Sequence, residues 1–196
     1  MGDILTSEPG RTTIIRDIKL IERYARNNEA EDLRFRNFVV RDLDMSTSAL
    51  DEKVAATTDE VRKQLDCLAC GRCCRFLQVV VDDKDIKRLA HRLGILPREV
   101  LHKYVNTAPD GTSHLNSIPC PFLLQDNRCS VYEDRPQSCR DFPYLHAGAT
   151  RSRLLTLLEY ISLCPIIFNV WDQMKRELWK HGRRKSPGRS TKNKNG

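Results

Sequence analysis

Eight cysteines carry most of the chemistry open to this 196-residue chain, and four of them fall within eight residues. Cys67, Cys70, Cys73 and Cys74 stand in a C-x2-C-x2-C-C run. Thiolates at successive three-residue steps let one loop wrap a metal centre, and the same C-x2-C-x2-C spacing opens the bacterial ferredoxin pattern. Gly71, inside the run, lets backbone amides approach sulfur and tolerates an unusual φ. A zinc knuckle ordinarily needs two separated C-x2-C pairs, whereas here the two pairs share Cys70, which favours an iron–sulfur cluster over a zinc finger. Cys120, Cys129, Cys139 and Cys164 follow, and Cys120 and Cys164 each precede proline, as does the last ligand of the ferredoxin run. Eight thiols permit two four-thiolate sites, one cluster plus a zinc ion, or one site with spare thiols. Adjacent residues project in different directions, so Cys73 and Cys74 either serve different metals or leave one as a packed thiol. Cys164, alone near apolar helices, reads equally well as a core residue.

Metal ligation is the favoured use of these thiols because of the compartment the chain implies. The first twenty residues contain Asp3, Glu8 and Pro9 and no apolar run of signal-peptide type. The greasiest stretch, residues 154–171, is broken by Glu159, Pro165 and Asn169, whereas a membrane span needs about 20 nearly unbroken apolar residues. The expectation is a cytoplasmic protein without a membrane span, in a reducing compartment where clustered cysteines bind metal more often than they form disulfides. Apolar content of 40% and charged content of 30% fit a globular chain with its own core. The net charge of +7 is local: six of the 33 basic side chains and none of the 26 acidic ones fall in the last sixteen residues. That tail, 181–196, is expected to be disordered and solvated; contact with nucleic acid through it is the less favoured reading.

The elements that must position the cysteines are read from periodicity and caps. Ile14, Ile15, Ile18, Ile21 and Tyr24 or Ala25 share one side of a helix expected over 12–28. Residues 33–43 remain ambiguous between helix and strand. Ser48 with Asp51 reads as the N-terminal cap of a helix carrying Leu50, Val54, Val61 and Leu65, which delivers the chain to Cys67. Residues 76–81 form an apolar run of strand type. Asp82 and Asp83 cap a helix with Ile86, Leu89, Ala90 and Leu93 inward, stopped by Gly94, and Pro97 opens another through Tyr104. Residues 106–119 look loop-like, with a turn at Pro109, Asp110 and Gly111. Residues 121–124 and 129–132 read as a β-hairpin turning at Asp126 and Asn127. Two further helices are expected over 153–163 and 165–180.

Around the cysteines, Arg72, Arg75, Arg135 and Arg140 would offset the negative charge of a thiolate-bound cluster, although the plainer reading of each is a surface arginine. Phe122, Tyr132, Phe142 and Tyr144 read as packing that excludes water from the site. His91, His102, His114, His146 and His181 have no paired metal spacing and read as surface or packed residues. The sequence contains no phosphate-cradling glycine loop, no G-x-G-x-x-G and no nucleophile elbow.

The ordered blocks Cys67-x-x-Cys70-Gly71-x-Cys73-Cys74, Cys120-Pro121-Phe122-Leu123, Arg128-Cys129-Ser130-Val131-Tyr132 and Arg135-Pro136-x-x-Cys139-Arg140-x-Phe142-Pro143 resemble the cysteine-cluster family called YkgJ-like or CxxCxxCC. The resemblance covers roughly residues 65–170. It implies a zinc- or iron-chelating domain, similar to the cysteine-rich part of flagellin lysine N-methylases, for which an iron–sulfur cluster is implied.

The reading that follows is an α+β fold, mostly helical: a small metal-centred domain with a short β-hairpin and irregular cysteine-bearing loops. Residues 1–60 are an N-terminal helical extension, 61–180 the metal-binding domain and 181–196 the basic tail. All eight cysteines are candidate ligands of an iron–sulfur cluster of the 4Fe–4S type, with Zn2+ as the alternative. The expected role is redox or accessory, with room for a protein partner that the sequence does not identify. The alternatives are a zinc-stabilised interaction module and a cluster-dependent protein-modifying enzyme related to the flagellin N-methylases.

Overall fold

A computed structural model describes residues 13–179; the basic tail and the first twelve residues lie outside the described residues. Helices dominate, as expected, and their apolar stripes are buried in two separate cores.

The first core gathers helices from both ends of the chain. α1 (Ile18–Arg41) is capped by Asp17, whose carboxylate accepts from the Lys19 and Leu20 amides at 2.8 and 3.2 Å. Its buried side chains, Ile21, Phe35 and Val39 among them, lie on one face. The helix therefore runs straight through the stretch whose pattern was ambiguous. Packing of Phe35 edge-on against Trp171, with ring centroids 5.1 Å apart, holds together a segment that contains Asn27 and Asn28, as tertiary contacts override weak local propensity. α2 (Thr47–Arg62) buries Leu50, Val54 and Val61. Its cap is Ser46, which accepts from the Ala49 amide at 3.1 Å, and not Ser48. α8 (Thr150–Glu159) and α9 (Pro165–Leu178) close this core. The expected boundary at residue 60 falls inside α2, and α1 and α2 share their core with α8 and α9.

Two long-range ties complete it. Asp51 does not cap its own helix; its carboxylate accepts from the Ala149 and Thr150 amides at 2.9 and 2.8 Å and so caps α8, whose own Ala149 offers no side-chain acceptor. The Asn169 amide pairs with both edges of the Ile15 peptide, accepting from its N–H at 2.8 Å and donating to its carbonyl at 2.9 Å.

The second core is built from local signals. α5 (Asp83–Leu93) begins with a capping box in which Asp82 accepts from the Asp85 amide and Asp85 from the Asp82 amide, and it ends at Gly94 with φ 67°. α6 (Pro97–Tyr104) starts on its proline. Leu89 and Val100 are fully buried between them and their neighbours, which contributes roughly 1.5–3 kcal/mol for a side chain the size of leucine. The two-stranded sheet falls where a loop was expected: β1 (Val105–Thr107) pairs antiparallel with β2 (Ser113–Leu115), Val105 opposite Leu115. The apolar run at 76–81 reaches the other edge of β2 through Val81 N–H to Ser113 O at 2.9 Å and Leu115 N–H to Val79 O at 2.8 Å. The expected hairpin at 121–132 does turn at Asn127, with φ 70°, but narrows to the single bridge Leu123–Cys129.

Candidate metal centre

The cysteine-rich loop lies between the two cores. α3 (Cys67–Cys70) is a single turn capped by Asp66, whose carboxylate accepts from the Leu68 amide at 2.8 Å. Gly71 then takes the left-handed conformation at φ 60° and breaks the helix, so that α4 (Arg72–Phe76) starts in a new direction. Cys67 and Cys70 thus leave from one turn, Cys73 and Cys74 from the next.

Two side chains fasten this kinked pair from opposite sides. Asn127, in the turn below, donates to Ala69 O at 3.0 Å and accepts from Arg75. A methyl group on Gly71 would stand 3.0 Å from Asn127 Cβ, so the glycine serves both the turn and the close approach. On the other side, Arg72 donates to Leu163 O at 3.3 Å and to Glu22 at 2.5 Å, tying α4 to the residue before Cys164 and to α1. Asn127 was visible in the sequence only as a turn residue; its side-chain partners come from a loop nearly sixty residues away and leave no local signal.

All eight cysteines are free thiols. They line two cavities. The larger, about 130 Å³, is walled by Cys67, Cys73, Cys74, Cys120, Cys129 and Cys139, together with Phe122, Tyr132, Phe142 and Tyr144. The four aromatic residues thus stand in the same wall as the thiols. The smaller, about 60 Å³, is walled by Cys67, Cys70, Cys73 and Cys164 with Leu65, Leu163 and Ile166. Cys120 is drawn to α4 by a backbone bond from its amide to Cys74 O at 2.8 Å. Cys120, Cys129 and Cys139 pack against the second core, whereas Cys164 is buried in the first. Among the described residues, no three His, Cys, Asp or Glu side chains are yet gathered closely enough to hold one metal ion; the sulfurs share cavity walls without converging on a point.

The surroundings keep most of these thiols protonated. Burial pushes Cys139 and Cys164 up to about 12 and Cys120 up to about 11, and raises Cys67 and Cys129 as well. Cys73 and Cys74 have sulfurs 3.9 Å apart, and the hydrogen bond between them raises Cys73 and lowers Cys74. Once ionised, Cys139 is opposed by Cys120, Cys74 and Cys129, and Cys164 by Cys67 and Cys70, which lie within electrostatic reach of each.

Of the expected arginines, Arg135 lines the larger cavity, its guanidinium 3.8 Å over the Tyr132 ring. Arg62, which sequence reasoning did not single out, lines it too. Arg72 and Arg75 are engaged as described, and Arg140 donates to the Arg135 carbonyl at 3.1 Å and to Glu133 O. No described histidine lines either cavity; His146 instead pairs with Asp59 at 2.9 Å. A further cavity, about 610 Å³, lies between α1 and α9, and no cysteine lines it.

An all-sulfur donor set in a half-buried pocket, walled by aromatic side chains, suits the metals that take four thiolates in tetrahedral array, zinc and iron–sulfur centres. The fold and site define a thiolate-rich metal-chelating protein. The chain belongs to the CxxCxxCC family, described as "Putative zinc- or iron-chelating domain", whose model matches residues 66–164. The match therefore runs from the cap of α3 to Cys164 and takes in all eight cysteines. No curated protein matches the chain, and no solved structure does. No described helix is long and apolar enough to cross a membrane.

Proposed function

We propose that the cysteine cluster holds an iron–sulfur centre and that the protein serves electron transfer, redox sensing or an accessory role to another enzyme in the cytosol. The observation that carries this reading is the Cys67–Cys74 loop, folded as two helical turns about Gly71 so that its thiols open into the cavities reached by Cys120, Cys129, Cys139 and Cys164. All eight cysteines are assigned as ligands. Residues 61–180 carry the metal, and α1 and α2 of the N-terminal extension complete one of the cores against which it sits. A bound cluster would supply reversible one-electron chemistry tuned by hydrogen bonding and burial around its sulfurs. The chain's own contribution is to orient the thiols through Asn127 and Arg72 and to bring Arg62 and Arg135 beside them.

Anaerobic purification tests this directly. The expected product is brown, with iron and acid-labile sulfide in cluster proportion. A colourless protein that contains zinc and no sulfide overturns it.

That second outcome would match the alternative of a zinc-stabilised interaction module, which one observation favours. Between β2 and α8 the described chain holds only a 3-10 turn at Tyr132–Asp134 and the short α7 (Gln137–Asp141), a stretch that a structural metal would staple. In this case chelation unfolds the domain, and redox reagents leave its spectrum unchanged.

A further inference from the structure

The sharing of eight thiols between two cavities raises a question that metal chelation alone does not answer: how many centres there are, and which sulfurs belong to each. Two observations sort the cysteines in the same way. Cys70 and Cys164 line only the smaller cavity, and Cys74, Cys120, Cys129 and Cys139 only the larger. Each cavity rests against its own core, with Cys164 in the first and Cys120, Cys129 and Cys139 against the second.

Cys67 and Cys73 line both cavities, and the number of thiols in each wall allots them. The smaller cavity has four only with both, Cys67, Cys70, Cys73 and Cys164, and the larger keeps four without them, Cys74, Cys120, Cys129 and Cys139. The Cys74 carbonyl also accepts from the Cys120 amide at 2.8 Å, and the Cys73 and Cys74 sulfurs, 3.9 Å apart, stand where the two sets meet. A cysteine run that divides its ligands between two centres has a chemical precedent: in two-cluster ferredoxins the last cysteine of the run ligates the other cluster.

We propose that the protein has two four-thiolate metal centres, one of Cys67, Cys70, Cys73 and Cys164 and the other of Cys74, Cys120, Cys129 and Cys139, divided at the Cys73–Cys74 peptide bond. The division rests on the reading of the cluster as a metal site but not on whether the metal is zinc or iron with sulfide, since four thiolates serve either. Each centre sits where its own core meets the α3–α4 loop, so each can be lost without the other.

The full-length protein tests this with Cys164→Ser and Cys139→Ser, one variant for each set. Samples are loaded anaerobically with zinc alone or with iron and sulfide. Bound metal is counted, and unprotected thiols are alkylated with iodoacetamide and mapped by peptide mass. Wild type is expected to hold two zinc ions or two clusters, and each variant about half of that. In Cys164→Ser the newly reactive thiols are Cys67, Cys70 and Cys73, while Cys74, Cys120, Cys129 and Cys139 stay protected. In Cys139→Ser the pattern reverses. Loss of all metal in both variants, full retention in either, or protection lost across the two sets overturns the division. Wild type that holds one centre overturns it too. Wild type that binds no metal under either loading overturns the proposed function itself, which separates that failure from this one.

Discussion

Gly71 shows how much of a metal loop is decided by a residue that never touches metal. Its φ of 60° and the 3.0 Å approach to Asn127 are two demands on one position. Gly71→Ala meets a left-handed backbone penalty of roughly 1–2 kcal/mol and also pushes against Asn127. A fall in melting temperature of about 2–8 °C is expected, with reduced metal retention, both measurable on one preparation by thermal scanning and metal analysis. Asn127→Gly keeps the left-handed turn at φ 70° but removes the bonds to Ala69 O and from Arg75. It is expected to weaken retention of metal more than it lowers the melting temperature, and equal retention to wild type would show that the clamp is irrelevant. The eight ligand candidates were legible because cysteine chemistry is written in residue type and spacing. Their neighbours were not: Asn127, Arg62 and Leu163 reach the site from turns and helix ends whose meeting no local pattern encodes.

Elements were legible in proportion to how local their causes are. α5 and α6 carry their own punctuation in Asp82, Asp85, Gly94 and Pro97, and they begin and end where those residues say. The strands at 105–107 and 113–115 are three residues each and exist because Val79 and Val81 bond to the far edge of β2, so a reading confined to neighbours in sequence saw only the turn between them. α8 is a further case, since its cap comes from Asp51 in α2. This borrowed cap makes an acid-dependent joint. Burial pushes the Asp51 carboxyl up, but the hydrogen bonds from Thr150 and Ala149 and the charge of Arg153 outweigh it and hold the group below its ordinary value. A carboxyl whose pKa is lower folded than unfolded adds stability that is fully present above the unfolded value, about 4, and is lost as the pH falls through the folded one. Asp51→Asn is therefore expected to be less stable than wild type near pH 7, with the gap closing below about pH 4. Urea denaturation of both proteins across that range checks it, and a gap that widens in acid would contradict the assignment.

At the scale of the molecule, the two cores share no buried residue among the described ones, and the first depends on helices far apart in the chain. A chain begun at residue 61 lacks Ile21, Phe35, Val39, Leu50 and Val54 and is expected to lose the cooperative unfolding of the α8–α9 pair, visible as a missing thermal transition. Within this core, Lys175 donates to Asp32 at 2.6 Å, and Asp32 also accepts from the Trp171 indole at 2.8 Å. Lys175→Met strands a carboxylate only 4% exposed and is expected to cost about 3–5 kcal/mol, read from denaturant midpoints. Burial of this pair was invisible in a sequence rich in charged residues. The Asn169 tie to Ile15 has a consequence of its own. Ile15 forms part of the rim of the 610 Å³ cleft, yet it belongs to no helix or strand, and one carboxamide holds its peptide. Leucine at 169 would offer neither donor nor acceptor, so the shape of that hollow turns on two polar atoms of a single side chain.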